Sequence, residues 1–175
     1  MIPIDYSSTG MDLQRAFVDH FSNNKDPALR ADHVLLNGHK VFAFLCAPVP
    51  KEGRFRIEFL SPPREIEQGV DVRFDNGTIR LPNGEKVKLL RTWLDPRLAD
   101  VVEYPYRAPK GIIRCYNVFM RKYGENDIRE EKMTGNAGFL LEQPAPNEWV
   151  FHCSAGPLPA PDFEYLVFRL TLLPK

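Results

Sequence analysis

Apolar and polar residues alternate with a period of two through most of this chain, and with a period near four in one stretch. Phe55, Ile57 and Phe59 are separated by Arg56 and Glu58, the pattern of a strand with one buried face. The last run is the strongest core strand. Leu166, Phe168, Leu170 and Leu172 share one face, and Tyr165, Val167, Arg169 and Thr171 share the other. Near the N-terminus, Leu13, Phe17 and Phe21 recur every four residues with Ala16 beside them, which predicts a helix over 11–22. A hydroxyl of Ser8 or Thr9 is expected to cap it by accepting from the first free N–H groups, and Asp12 suits its positive end. The helix should stop near Ser22-Asn23-Asn24, with a short turn starting at Asp26-Pro27.

Asn-Gly pairs stand at Asn37-Gly38, Asn76-Gly77 and Asn83-Gly84, beside strand-like runs. A type I′ hairpin turn needs φ > 0 at both central residues, which these residues tolerate best. Val34 to Leu36 and Val41 to Cys46 flank the first pair. Val70, Val72 and Phe74 lead into the second, Thr78 to Leu81 lie between, and the third leads into Val87 to Trp93, giving a compact meander. Pro62-Pro63 ends the run before it. Leu94 to Lys110 holds Asp95-Pro96, Pro105 and Pro109 and reads as an irregular linker along a sheet edge. Ile112 to Tyr123 is the longest strand candidate. Ala137 to Glu142, Trp149 to Cys153 and Phe163 to Leu173 follow, bounded by prolines. About nine strands and one helix, without βαβ alternation, read as a mainly β, antiparallel sandwich or barrel with one N-terminal α-helix. One domain spanning 1–175 is expected, its β region over 33–173.

Composition narrows the classes. Lys plus Arg and Asp plus Glu number 23 each, so the formal net charge is zero and no basic excess points to nucleic acid. No apolar run approaches a membrane span, and Met1-Ile-Pro-Ile-Asp5 lacks the basic and apolar regions of a secretory signal. Cys46, Cys115 and Cys153 are odd in number and far apart, which gives no disulfide framework and fits a reducing, cytoplasmic setting.

His152-Cys153-Ser154-Ala155-Gly156 resembles the signature loop of the protein tyrosine phosphatases. The resemblance implies a thiolate nucleophile at Cys153, backbone N–H groups around the phosphate, an arginine six residues on, and a helix that follows at once. The sixth residue here is Pro159, and Pro157, Pro159 and Pro161 remove donors and forbid a helix. Trp93-Leu94-Asp95-Pro96 resembles that family's acid loop only loosely, with the residues in another order. The expectation is therefore a strand end at Cys153 and no phosphatase chemistry.

Other constellations are sparse. His33 and His39 lie on opposite arms of one predicted hairpin, too few for a metal site, and Asp71 and Asp75 lack the ligand spacing of a calcium loop. No metal or cofactor is expected. Thr134-Gly135-Asn136-Ala137-Gly138 is a small-residue loop that could turn N–H groups toward an anion. Arg129-Glu130-Glu131-Lys132 is a charge run suited to a solvated strand end or the rim of a partner surface. The tyrosines offer stacking area. The candidate binding residues are thus Tyr104, Tyr106, Arg129, Glu131 and Asn136, with no catalytic residue among them. The reading is a non-enzymatic binding protein for another protein, of the immunity or antitoxin kind, with no nucleic-acid or membrane partner. The alternatives are a module for sugars or other small polar ligands, and an enzyme using Cys153 or carboxylates.

Overall fold

The computed structural model describes residues 12–23 and 33–175. One helix, α1 (Leu13–Asn23), precedes fourteen strands. These are β1 (His33–Leu36), β2 (His39–Phe42), β3 (Leu45–Pro48), β4 (Glu52–Phe59), β5 (Gln68–Phe74), β6 (Thr78–Arg80) and β7 (Lys86–Val87). Then come β8 (Leu89–Trp93), β9 (Val101–Arg107), β10 (Ile112–Gly124), β11 (Asp127–Glu131), β12 (Gly138–Ala145), β13 (Glu148–Ser154) and β14 (Leu166–Leu173). Nine form one antiparallel sheet in the order β1-β2-β12-β13-β14-β4-β9-β6-β7. The second sheet runs β11-β10-β5-β8, and β3 pairs with the start of β10. The arrangement is a sandwich. The first sheet ends at β1 and β7 instead of closing into a barrel.

The core between the sheets follows the alternation. Phe55, Ile57, Phe168 and Leu170 of the first sheet meet Val70, Val72, Phe74 and Ile113 of the second, all buried. The expected face of β14 is inside, with Leu166, Phe168 and Leu170 fully buried and Leu172 nearly so. A smaller cluster holds α1, where Leu13, Ala16 and Phe17 pack on Val34, Val41 and Ala43.

The helix is capped by Asp12, whose Oδ1 accepts from the Arg15 N–H at 2.8 Å. Ser8 and Thr9, expected in that role, lie outside the described residues, as does Asp26-Pro27. At Asn37-Gly38 both residues have positive φ (51° and 79°), and Leu36 faces His39 across the two-residue turn. Pro82-Asn83-Gly84 closes β6 onto β7 as a three-residue loop, with Gly84 at φ 85° and a Gly84 N–H bond to Leu81 O.

Asn76-Gly77 corrects the expected meander. Only Asn76 has positive φ (53°), and the chain passes there from β5 in the second sheet to β6 in the first. Gly77 is needed for close approach, since a Cβ would meet Arg107 O at 2.2 Å. The β6–β7 hairpin is an excursion into the first sheet, after which β8 returns to pair with β5. A second correction falls on the expected linker. Residues 101–107 form β9, paired between β4 and β6, and Pro105 sits there opposite Arg54. The run expected from Val41 to Cys46 is also divided, because β2 and β3 lie in different sheets. Among the described residues, no helix is long and apolar enough to cross a membrane.

Candidate functional site

The outer face of the first sheet carries its polar positions, and charges meet across its strands. Arg54 and Arg56 of β4 both reach Glu103 of β9, at 2.9 and 3.1 Å. Arg169 of β14 bridges Glu58 and Glu148 at 3.1 and 3.0 Å. His152 lies between Glu142 and Glu164 at 3.2 and 3.0 Å. In the middle of the sheet, each of these arginines therefore has a carboxylate partner.

At the β6–β7 end cations outnumber carboxylates. A cleft of about 330 Å³ is lined by Arg54, Arg80, Lys86, Arg107 and Lys175, with Glu52 as the one acidic side chain among the described residues lining it. Strand pairing builds it, because Thr78 faces Arg107, Arg80 faces Lys86, and Arg54 faces Pro105. Glu52 is taken by Lys175 at 2.6 Å. That hydrogen bond and charge, with Arg107 adding, hold its carboxyl below the usual range against the opposing effect of burial. Arg80 and Lys86 have no carboxylate partner among the described residues.

A second cleft, of about 570 Å³, adjoins the first and shares Thr78 with it. Arg73, Lys88 and Lys110 line it, with Asp75. The Arg114 guanidinium grips Asp75 at 2.8 and 3.1 Å and lowers its pKa, with Arg73 and Lys110 contributing charge. Together the clefts place a concentrated positive field on a chain of zero net charge.

A third cleft, of about 430 Å³, lies under Trp93, with Leu94, Ile66, Met120 and Gln68 among its walls. Asp95 at its rim is gripped by Arg97 at 2.9 and 2.6 Å, and those bonds bring its pKa to about 2. At that value the loop around Asp95 offers no proton donor near neutral pH.

The outer face of the second sheet holds a separate network. Asp71 of β5 is fully buried and accepts two bonds from Arg91 at 2.7 Å each and one from Lys132 at 3.1 Å. Arg91 also bonds Glu130, and Lys132 sits 4.3 Å from the Tyr116 ring centroid. The hydrogen bonds to Asp71 raise the Arg91 pKa further, so the guanidinium stays charged. These charges are satisfied within the network, which ties β5, β8 and β11 together.

The residues singled out from sequence do not converge. Tyr106 is buried and stacked on Phe74, with ring centroids 4.1 Å apart, and Tyr104 is half-buried beside Phe55. Arg129 is exposed on β11 and paired with Asp127 at 2.8 Å. Glu131, on the same strand, accepts bonds from Tyr123 and Thr134. Asn136 acts as a clasp. Its Oδ1 accepts from the Leu13 N–H at 3.2 Å, and its Nδ2 donates to Leu158 O at 2.7 Å. The Gly135 N–H donates to Gln14 Oε1 and the Asn136 N–H to Gly156 O, so this loop has spent those donors on the fold. His33 and His39 start β1 and β2 and face Phe42 and Leu36, at opposite ends of their hairpin. Among the described residues no three His, Cys, Asp or Glu side chains converge as metal ligands do. Sequence reasoning missed Arg80, Lys86, Lys88, Arg107 and Lys110, and the only signal was that each is an outward or turn position of a short run.

Cys153 lies fully buried on β13, opposite Phe139 and Leu166. Burial, and then the nearby Cys115, push its thiol pKa well up, the reverse of what a nucleophile needs. Gly156 packs so tightly that a Cβ would sit 2.2 Å from Phe119 Cζ, and Ser154 Oγ accepts from the Asp162 N–H at 3.0 Å. The segment is a packed strand end. Cys115 is also buried, whereas Cys46 is exposed. A thiol-reactive disulfide reagent is expected to titrate one cysteine in the native protein and all three in denaturant; fast native reaction of a second thiol would contradict this packing.

No protein-family model matches this chain, and comparison with curated proteins and with solved structures finds no match.

Proposed function

We propose that this chain is a non-enzymatic binding protein that docks an acidic surface of a partner protein against its β6–β7 end. An immunity or antitoxin protein works in this way, blocking an enzyme with a preformed face. The observation that carries the reading is the charge imbalance of the first cleft, where Arg80, Lys86 and Arg107 are left over once Arg54 pairs with Glu103 and Lys175 with Glu52, in a protein of zero net charge. Side chains on paired strands are held at fixed spacing, so little ordering is needed on binding. A localised positive field also steers an acidic partner and fixes its orientation. Geometry favours binding over catalysis, because Cys153 is buried and Asp71, Asp75 and Asp95 are each held by a guanidinium. A small-ligand module is the second reading, favoured by the cleft under Trp93, where apolar walls meet polar groups such as Gln68 and Arg64.

The test is lysine-directed crosslinking in cells that make the protein, followed by identification of the partner and of the linked lysines. Crosslinks at Lys86, Lys110 or Lys175 to an acidic region of one protein are expected. Arg80→Glu combined with Lys86→Glu and Arg107→Glu should weaken that purified partner's binding by about a hundredfold or more, most strongly at low salt. A partner linked elsewhere, and bound equally well by the triple variant, would overturn the proposal.

A further inference from the structure

We infer that the two basic clefts form one groove that takes an extended acidic segment of polypeptide, crossing the sandwich edge at Thr78. The inference rests on the docking reading above and specifies what the partner presents. The clefts share Thr78 as a wall. Their floors are also continuous, since Phe74 lines one and Tyr106 the other, and these rings stack 4.1 Å apart and 5° from parallel. Gly77 keeps the join narrow by letting the β5–β6 corner lie directly on the Arg107 backbone.

Charge runs the length of this groove. Arg80 and Lys86 stand at one end and Lys88 and Lys110 at the other, all exposed and none paired among the described residues. The two carboxylates in it, Glu52 and Asp75, are already taken by Lys175 and Arg114. A compact anion would fill one cleft and leave the other cationic end unmatched. A chain with carboxylates at intervals matches both, and arginine and lysine bind carboxylates through charge-assisted hydrogen bonds. Single-stranded nucleic acid is disfavoured by the same stack. Binding such strands uses exposed aromatic faces for the bases, and the aromatic rings lining this groove are buried against each other.

Fluorescence anisotropy with labelled oligoglutamates tests the inference. A peptide of about twelve residues reaches both clefts, whereas one of about four fills only one. The longer peptide is expected to bind about a hundredfold more tightly, because its second contact becomes intramolecular. Arg80→Glu in one cleft and Lys88→Glu in the other should each bring the longer peptide close to the affinity of the shorter one. Both side chains are exposed, and an unchanged thermal melt will show that the variants fold. Equal binding of the two peptides, or indifference to either reversal, would overturn the inference. Tighter binding of oligothymidine or a heparin oligosaccharide of equal charge would also overturn it, in favour of another polyanion. If the peptides fail while native crosslinks still map to Lys86, Lys110 or Lys175, the extended-segment inference falls and the docking reading stands. If the crosslinks map elsewhere, the docking reading itself falls.

Discussion

Phe168→Ala is expected to destabilise the protein by about 3–5 kcal/mol. Phe168 is fully buried in the middle of β14, with Phe151 opposite it on β13 and Phe59 opposite it on β4. Its ring stacks on Phe151 at 4.3 Å and 10°, Phe151 packs against Phe139 at 4.8 Å, and Phe139 stacks on Phe42 at 5.9 Å. This row of rings crosses four adjacent strands of the first sheet, β2, β12, β13 and β14. Truncating Phe168 removes the transfer energy of one ring and opens a cavity that the hydrogen-bonded strands on both sides, β13 and β4, cannot close. It also forfeits the stacking, worth about 0.5–1.5 kcal/mol beyond area. Denaturant melts should show a lower midpoint with an unchanged slope, as for lost stability without a change in compactness. A loss below about 1 kcal/mol would show that the row is not packed as described.

That row was legible because its signal is local. Leu166, Phe168, Leu170 and Leu172 declare a buried face by alternation alone, and Asn37-Gly38 declares a hairpin because both residues adopt the φ that an I′ turn requires. The same dipeptide at Asn76-Gly77 misled, because its glycine answers to a distant contact, the Arg107 carbonyl, and not to a turn of its own. β9 was hidden by Pro105, which reads as a breaker but is accommodated opposite Arg54 between two partner strands. The candidate site was less legible still. Arg54, Arg80 and Arg107 belong to β4, β6 and β9, and only the pairing of those strands turns dispersed, ordinary surface cations into one basic groove. Tyr106 and Asn136 show the reverse case. Their chemistry suggested ligands, but core stacking and the clasp on α1 have claimed them.

Asp71→Ala is expected to cost about 3 kcal/mol, at the low end for breaking a buried ion pair. Asp71 is fully buried, and its two oxygens satisfy the Arg91 fork and the Lys132 ammonium. Removing it leaves the Arg91 and Lys132 cations facing each other beside the Tyr116 ring. Both keep some contact with water, at 29% and 33% side-chain exposure, and Arg91 retains Glu130, which is why the expected loss is not larger. The effect is a matter of pairing and not of volume, so Asp71→Asn should lose most of the same stability although its side chain keeps the shape. It follows that neutralising the arginine as well should recover part of the loss. A double-mutant cycle of Asp71→Asn with Arg91→Gln should give a coupling of about 1–3 kcal/mol. Because the carboxylate is buried, that coupling should change little with added salt, unlike binding at the exposed basic groove. Additive single losses, or a coupling that vanishes in high salt, would show that Asp71 is no more than one of the surface charges.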